Sequence, residues 1–67
     1  MVNLSALSFE EIRELNNSEL SVSELEAKKA RLLYAHIREY SSRGNTPRCS
    51  KLYQEIREVE EEIEKRK

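Results

Sequence analysis

His36 and Cys49 are the only histidine and the only cysteine of this chain, so any nucleophilic or metal chemistry must begin with them. A Cys–His pair can make a thiolate nucleophile, but it needs a third group to orient the imidazole and a pocket to hold a substrate. A structural zinc site needs four ligands, and these two residues supply half of that set. Both positions fit apolar helix faces instead: His36 follows Leu32 by four residues, and Cys49 precedes Leu52 by three. A small buried hydrophobe is an ordinary role for a free cysteine. The spacing predicts a protein without catalytic residues, metal or cofactor.

Two charged clusters remain. Glu58, Glu60, Glu61, Glu62 and Glu64 are interleaved with apolar residues rather than set in a turn rich in Asp, Asn and Gly, so a calcium loop is excluded. They read as a solvated helix face, with Glu61–Lys65 and Glu62–Arg66 at the favourable i,i+4 spacing. Around the single glycine and single proline the balance reverses. Positions 41–54 hold Arg43, Arg48 and Lys51 and no acid, with Arg38 just outside. A basic tip of this kind attracts phosphate, although charge alone carries no specificity. Arg38, Arg43, Arg48, Lys51 and Arg57 are the candidate RNA- or anion-binding residues.

The elements that must position these residues are helices. Cys49, Leu52, Ile56, Val59 and Ile63 step by three and four with charged residues between them, a heptad seam that one helix cannot bury alone. Upstream, Ser21 with Glu24 and Ser23 with Glu26 have the capping-box form, and so does Ser8 with Glu11. Gly44 can end a helix in a left-handed conformation, while Thr46 and Pro47 make an N-cap and first-turn pair. The prediction is all-α: a short N-terminal helix over about 9–16, then an antiparallel two-helix hairpin. Its long arms cover about 22–42 and about 47–66, with the turn at 43–47.

The first long helix carries two apolar rows. Ala30, Leu33, Ile37 and Tyr40 form the more regular one, which predicts packing against Leu52, Ile56, Val59 and Ile63. Val22, Leu25 and Leu32 form the second, with His36 at its end, leaving them as the candidate partner-binding stripe. Phe9, Ile12 and Leu15 share a face on the short helix and can fold back over Val22 and Leu25.

Size and composition narrow the class. Sixty-seven residues make a single small domain of marginal stability. Charged and hydrophobic residues each make up 37%, enough for one seam but not a multilayer core, so a partner surface is the expected source of extra stability. The net charge of −1 marks no polyanion binder overall, and the lone cysteine suggests a reducing compartment. No apolar run reaches the roughly 18 residues a membrane span needs, and no basic-then-apolar leader opens the chain. A soluble cytoplasmic protein is expected.

The order of motifs resembles a known family. Glu11-Ile12-Arg13-Glu14-Leu15, a polar break, Glu24-Leu25-Glu26 through Arg31-Leu32-Leu33, the Gly44-Asn45-Thr46-Pro47 turn and a last amphipathic helix are similar to large-subunit ribosomal protein twenty-nine. The resemblance implies a helical hairpin lying on ribosomal RNA near the peptide exit tunnel. The chain departs from that family in its last helix, where Tyr53-Gln54-Glu55-Ile56-Arg57-Glu58-Val59 keeps the apolar positions but carries Glu in place of most of the basic signature. RNA contact would then fall to Arg43, Arg48, Lys51 and Arg57. The competing expectation is a protein–protein module, an adaptor, inhibitor or small chaperone that docks on a partner helix, with a homo-oligomer as one option.

Overall fold

The computed structural model describes residues 6–66. Three α-helices form: α1 at Phe9–Glu14, α2 at Val22–Arg43 and α3 at Pro47–Lys65, with a 3-10 turn at Asn17–Glu19 between the first two. No strand occurs among the described residues. The protein is an all-α hairpin of α2 and α3, with the short α1 laid against it.

Each start is fixed by a side chain that the sequence supplies at the right place. Ser8 Oγ accepts from the Glu11 amide at 3.2 Å, and the Ser8 amide donates back to Glu11 Oε1 at 3.0 Å. Ser21 and Glu24 repeat this reciprocal box at the start of α2. The Ser23–Glu26 pair is not used, since both residues lie inside α2. Thr46 caps α3 by accepting from the Cys49 amide at 3.2 Å, with Pro47 in the first turn, where its missing N–H costs nothing. The α2 helix closes at Gly44, whose φ of 76° is the one positive value among the described residues. Its amide donates to the Tyr40 carbonyl at 2.9 Å.

The α1 helix is shorter than the expected 9–16. Asn16 breaks it by accepting from the Ser18 amide and hydroxyl, which starts the 3-10 turn. Short polar side chains compete in this way with helical hydrogen bonds.

The seam of α3 is as expected: Cys49, Leu52, Ile56, Val59 and Ile63 are all buried. Its partner row is not. Leu25 and Leu32 lie at 0% exposure, Val22 is half-buried against the same cluster, and Leu20 joins them. Ala30, Leu33, Ile37 and Tyr40 are exposed. The physical reason lies in the N-terminal segment, which must also bury Ile12, Leu15 and Leu20. Turning the Leu25–Leu32 row inward lets the same leucines meet α3 on one side and that segment on the other. The regular row can serve α3 only, and would leave the N-terminal residues on a separate, thinner cluster. The buried row also takes in Lys28, which is 4% exposed and has both of its acceptors in the N-terminal segment.

Candidate functional site

The buried polar groups hold the cover in place. Lys28 Nζ donates to the Leu15 carbonyl at 2.9 Å and to Asn17 Oδ1 at 2.7 Å, tying α2 to the break after α1. Burial pushes its ammonium below the ordinary lysine range, and nearby Glu55 and Glu58 oppose that shift. Arg13 reaches α3 in a bidentate pair, Nε to Glu55 Oε1 at 3.0 Å and Nη2 to Glu55 Oε2 at 2.6 Å. That pairing raises the guanidinium pKa above its already high value, against a smaller desolvation effect. Arg66 fastens the far end, donating to the carbonyls of Leu20, Asn17 and Ser18 and pairing with Glu62 at 3.2 Å. No buried side-chain nitrogen or oxygen among the described residues is left without a partner.

These contacts put α1 on one side of the hairpin. The side of α2 that carries Arg31, Ala35 and Arg38 shares a hollow with Phe9 and Ile12, and Glu55 receives Arg13 on the same side of α3. At 100° per residue, Leu33, Ile37 and Tyr40 lie roughly opposite that contact line. On α3, Tyr53 and Arg57 occupy the same open side, where they share a shallow groove with Glu60, Glu61 and Glu64. Tyr53 stacks obliquely on His36, 6.1 Å between ring centroids, and Lys29 approaches Glu60 at 3.8 Å across the helix pair. The open face therefore presents Leu33 at 39%, Ile37 at 59%, Tyr40 at 59% and Tyr53 at 52% exposure.

His36 and Cys49 do meet, Nε2 to Sγ at 3.2 Å, and they meet inside the packing. Cys49 is 2% exposed, so its sulfur lies enclosed within that packing. Among the described residues no group of three or more His, Cys, Asp or Glu side chains could hold a metal ion.

The basic candidates divide into three. Arg38, Arg43 and Arg48 line one hollow at the tip, together with Ala35, Glu39 and Ser42. Glu39 partly compensates them, approaching Arg48 at 3.9 Å and accepting from the Thr46 hydroxyl at 2.9 Å. Arg38 also lies over the Tyr34 ring at 5.7 Å, a cation–π contact that holds its head at the rim. Lys51 is exposed one turn after Arg48 on α3 but does not line this hollow. Arg57 belongs to the open face. Of the expected partner stripe, Leu25 and Leu32 are core residues and offer nothing to a partner; the exposed apolar surface is the row the sequence pattern had assigned to the core.

Lys28, the Arg13–Glu55 pair and the Arg66 clamp were not singled out from sequence. Lys28 had a signal, because it falls three residues after Leu25 and four before Leu32, a core position by spacing. The other two join residues more than forty positions apart and leave no local pattern. No helix among the described residues is long and apolar enough to cross a membrane. Comparison of the chain with protein-family models, with curated proteins and with solved structures found no match.

Proposed function

We propose that this chain is a non-catalytic binding protein whose hairpin tip takes the phosphate backbone of a structured RNA. The observation that carries this reading is the convergence of Arg38, Arg43 and Arg48 on one hollow. Three guanidiniums with one carboxylate among them form a cationic surface on a chain whose overall charge is −1. Arginine forks match phosphate oxygens in pairs, and Tyr34 beside Arg38 offers a ring on which an unpaired base can stack. The finer reading, ribosomal RNA of the large subunit in the cytoplasm, rests on the resemblance of the motif order to large-subunit ribosomal protein twenty-nine.

Titration with a structured RNA at several salt concentrations tests it. Engagement of about three phosphates predicts that log K falls with log salt at a slope of roughly −2 to −3. Changing Arg38, Arg43 and Arg48 together to Glu should remove binding at every salt concentration. Salt-independent binding, or binding that survives the triple change, would exclude the tip.

A second reading is favoured by a separate observation. The exposed Leu33, Ile37, Tyr40 and Tyr53 form an apolar face with aromatic anchors, the composition of a protein-docking surface. On this reading the chain is a protein–protein interaction module that binds through the open side of its hairpin.

A further inference from the structure

We propose that the open face seats a second copy of this chain in antiparallel register, so that two hairpins close into a four-helix bundle. The inference rests on the second reading above, a protein partner on that face, and names the partner.

Three features point to self-pairing. Ala30, Leu33, Ile37 and Tyr40 step by three, four and three, the spacing of a seam that packs against another helix, yet α3 and α1 both lie against other sides of α2. The row is also symmetric about position 35. Laid antiparallel on its own copy, it sets Ala30 against Tyr40 and Leu33 against Ile37. The smallest residue then meets the largest at both ends, and two branched aliphatics of equal size meet in the middle. A parallel copy would set Tyr40 on Tyr40 and Ala30 on Ala30, crowded at one end and hollow at the other. Packing at native density requires the first arrangement.

Charge selects the same register. Glu26 lies one turn before Ala30 on the same row and is exposed, while the opposite end of the hairpin is the basic tip that holds Arg38, Arg43 and Arg48. Glu60, Glu61 and Glu64 rim the base of the face, beyond Tyr53 and Arg57. Antiparallel copies bring the acidic base of each hairpin against the basic tip of the other. Parallel copies would stack acid on acid and base on base, which disfavours that alternative.

The full chain is weighed by sedimentation equilibrium over a wide concentration range, with the double variant Leu33→Glu, Ile37→Glu beside it. The expected mass rises from the 7.9 kDa of one chain to twice that, and the double variant stays at one chain. Circular dichroism of dilute samples should give both proteins the same helicity and melting, because both residues are exposed in the single chain. Orientation is read by oxidising the Ala30→Cys and Tyr40→Cys variants separately and mixed, positions that the antiparallel register sets against each other; the buried Cys49 stays out of exchange. A disulfide between the two variants, with neither pairing to itself, supports the antiparallel bundle. Self-paired disulfides, a dimer that survives the double change, or a chain that remains single at every concentration overturns it. If the single chain still binds a different protein and the double change removes that binding, the docking reading outlives the dimer. If the double change instead removes RNA binding, both fall and the face belongs to RNA.

Discussion

Two apolar rows lie side by side on α2 and meet opposite fates. Leu25 and Leu32 are fully enclosed, while Leu33 and Ile37, one and five positions further along, are 39% and 59% exposed. Heptad regularity favours the exposed row, so regularity did not choose the core. The choice was made by what lies on the other side: α1 and the 3-10 turn bring Ile12 and Leu20 to the Leu25–Leu32 row, and nothing among the described residues brings a cover to the Leu33–Ile37 row. A row buried from two directions removes more apolar surface from water than one buried from a single direction. Each Å² of apolar surface so removed contributes about 25 cal/mol.

The comparison is broken most directly by truncating one residue from each row. Leu32→Ala should cost about 2–5 kcal/mol in a urea melt, because the side chain is enclosed and its cavity cannot collapse fully. Ile37→Ala in dilute protein should fall within about 0.5 kcal/mol of the parent, as surface substitutions do. Equal losses at the two positions would mean that the rows are wrongly assigned.

The next largest effect belongs to the pair that holds the cover down. Arg13 and Glu55 side chains are only 13% and 18% exposed, and removing the carboxylate leaves a partly buried guanidinium without its bidentate partner. Glu55→Ala should destabilise by about 1–3 kcal/mol. Amide exchange should show the loss concentrated in α1 and the turn after it, with the open side of α2 unchanged. Uniform loss across all three helices would show that α1 does not detach as a separate cover.

At the tip, a methyl group added to Gly44 would meet nothing within 4 Å, so the cost of Gly44→Ala is the backbone term alone. With φ at 76° and ψ at −153°, a region essentially confined to glycine, that is about 1–3 kcal/mol. A smaller loss would mean that the chain reverses through another conformation, and the spacing of Arg43 and Arg48 around the hollow would change with it.

Much of this fold is legible in the residues. The capping boxes at Ser8 and Ser21, the Thr46–Pro47 start, the Gly44 stop and the α3 seam are local signals, each complete within a few positions, and all of them stand in the structure. The facing of α2 is not legible in that way. It depends on which row the N-terminal segment reaches, and that turns on contacts across the fold, such as Arg13 with Glu55 and Arg66 with the Leu20 carbonyl. The tip arginines show the same division. Their proximity in sequence is plain, yet Lys51, one turn after Arg48, does not line the hollow that Arg38, Arg43 and Arg48 share. Lys28 is a surface lysine by type and a core residue by spacing, and the structure follows the spacing because two oxygen acceptors meet its ammonium there.

The smallest effect sharpens the comparison through pH. Glu11 closes the box that starts α1, and the Ser8 backbone amide, followed by the Ser8 hydroxyl, holds its carboxyl below the usual value of 4.5. A carboxyl whose pKa is lower folded than unfolded binds protons more readily in the unfolded chain. Its contribution is therefore complete above the unfolded pKa and is lost as pH falls through the folded one. Acidification below about pH 4.5 should then loosen α1 first and expose Ile12 before the α2–α3 seam opens. Other carboxylates titrate in the same window, so the measurement is a difference: melting temperature against pH for the parent and for Glu11→Gln, with amide exchange in α1 as the local readout. The Gln side chain still accepts from the Ser8 amide but carries no titrating charge, so the variant should lose part of the acid slope while keeping the helix at neutral pH. Parallel curves for the two proteins would show that the box contributes equally in both protonation states, and that the acid response of α1 arises outside the box.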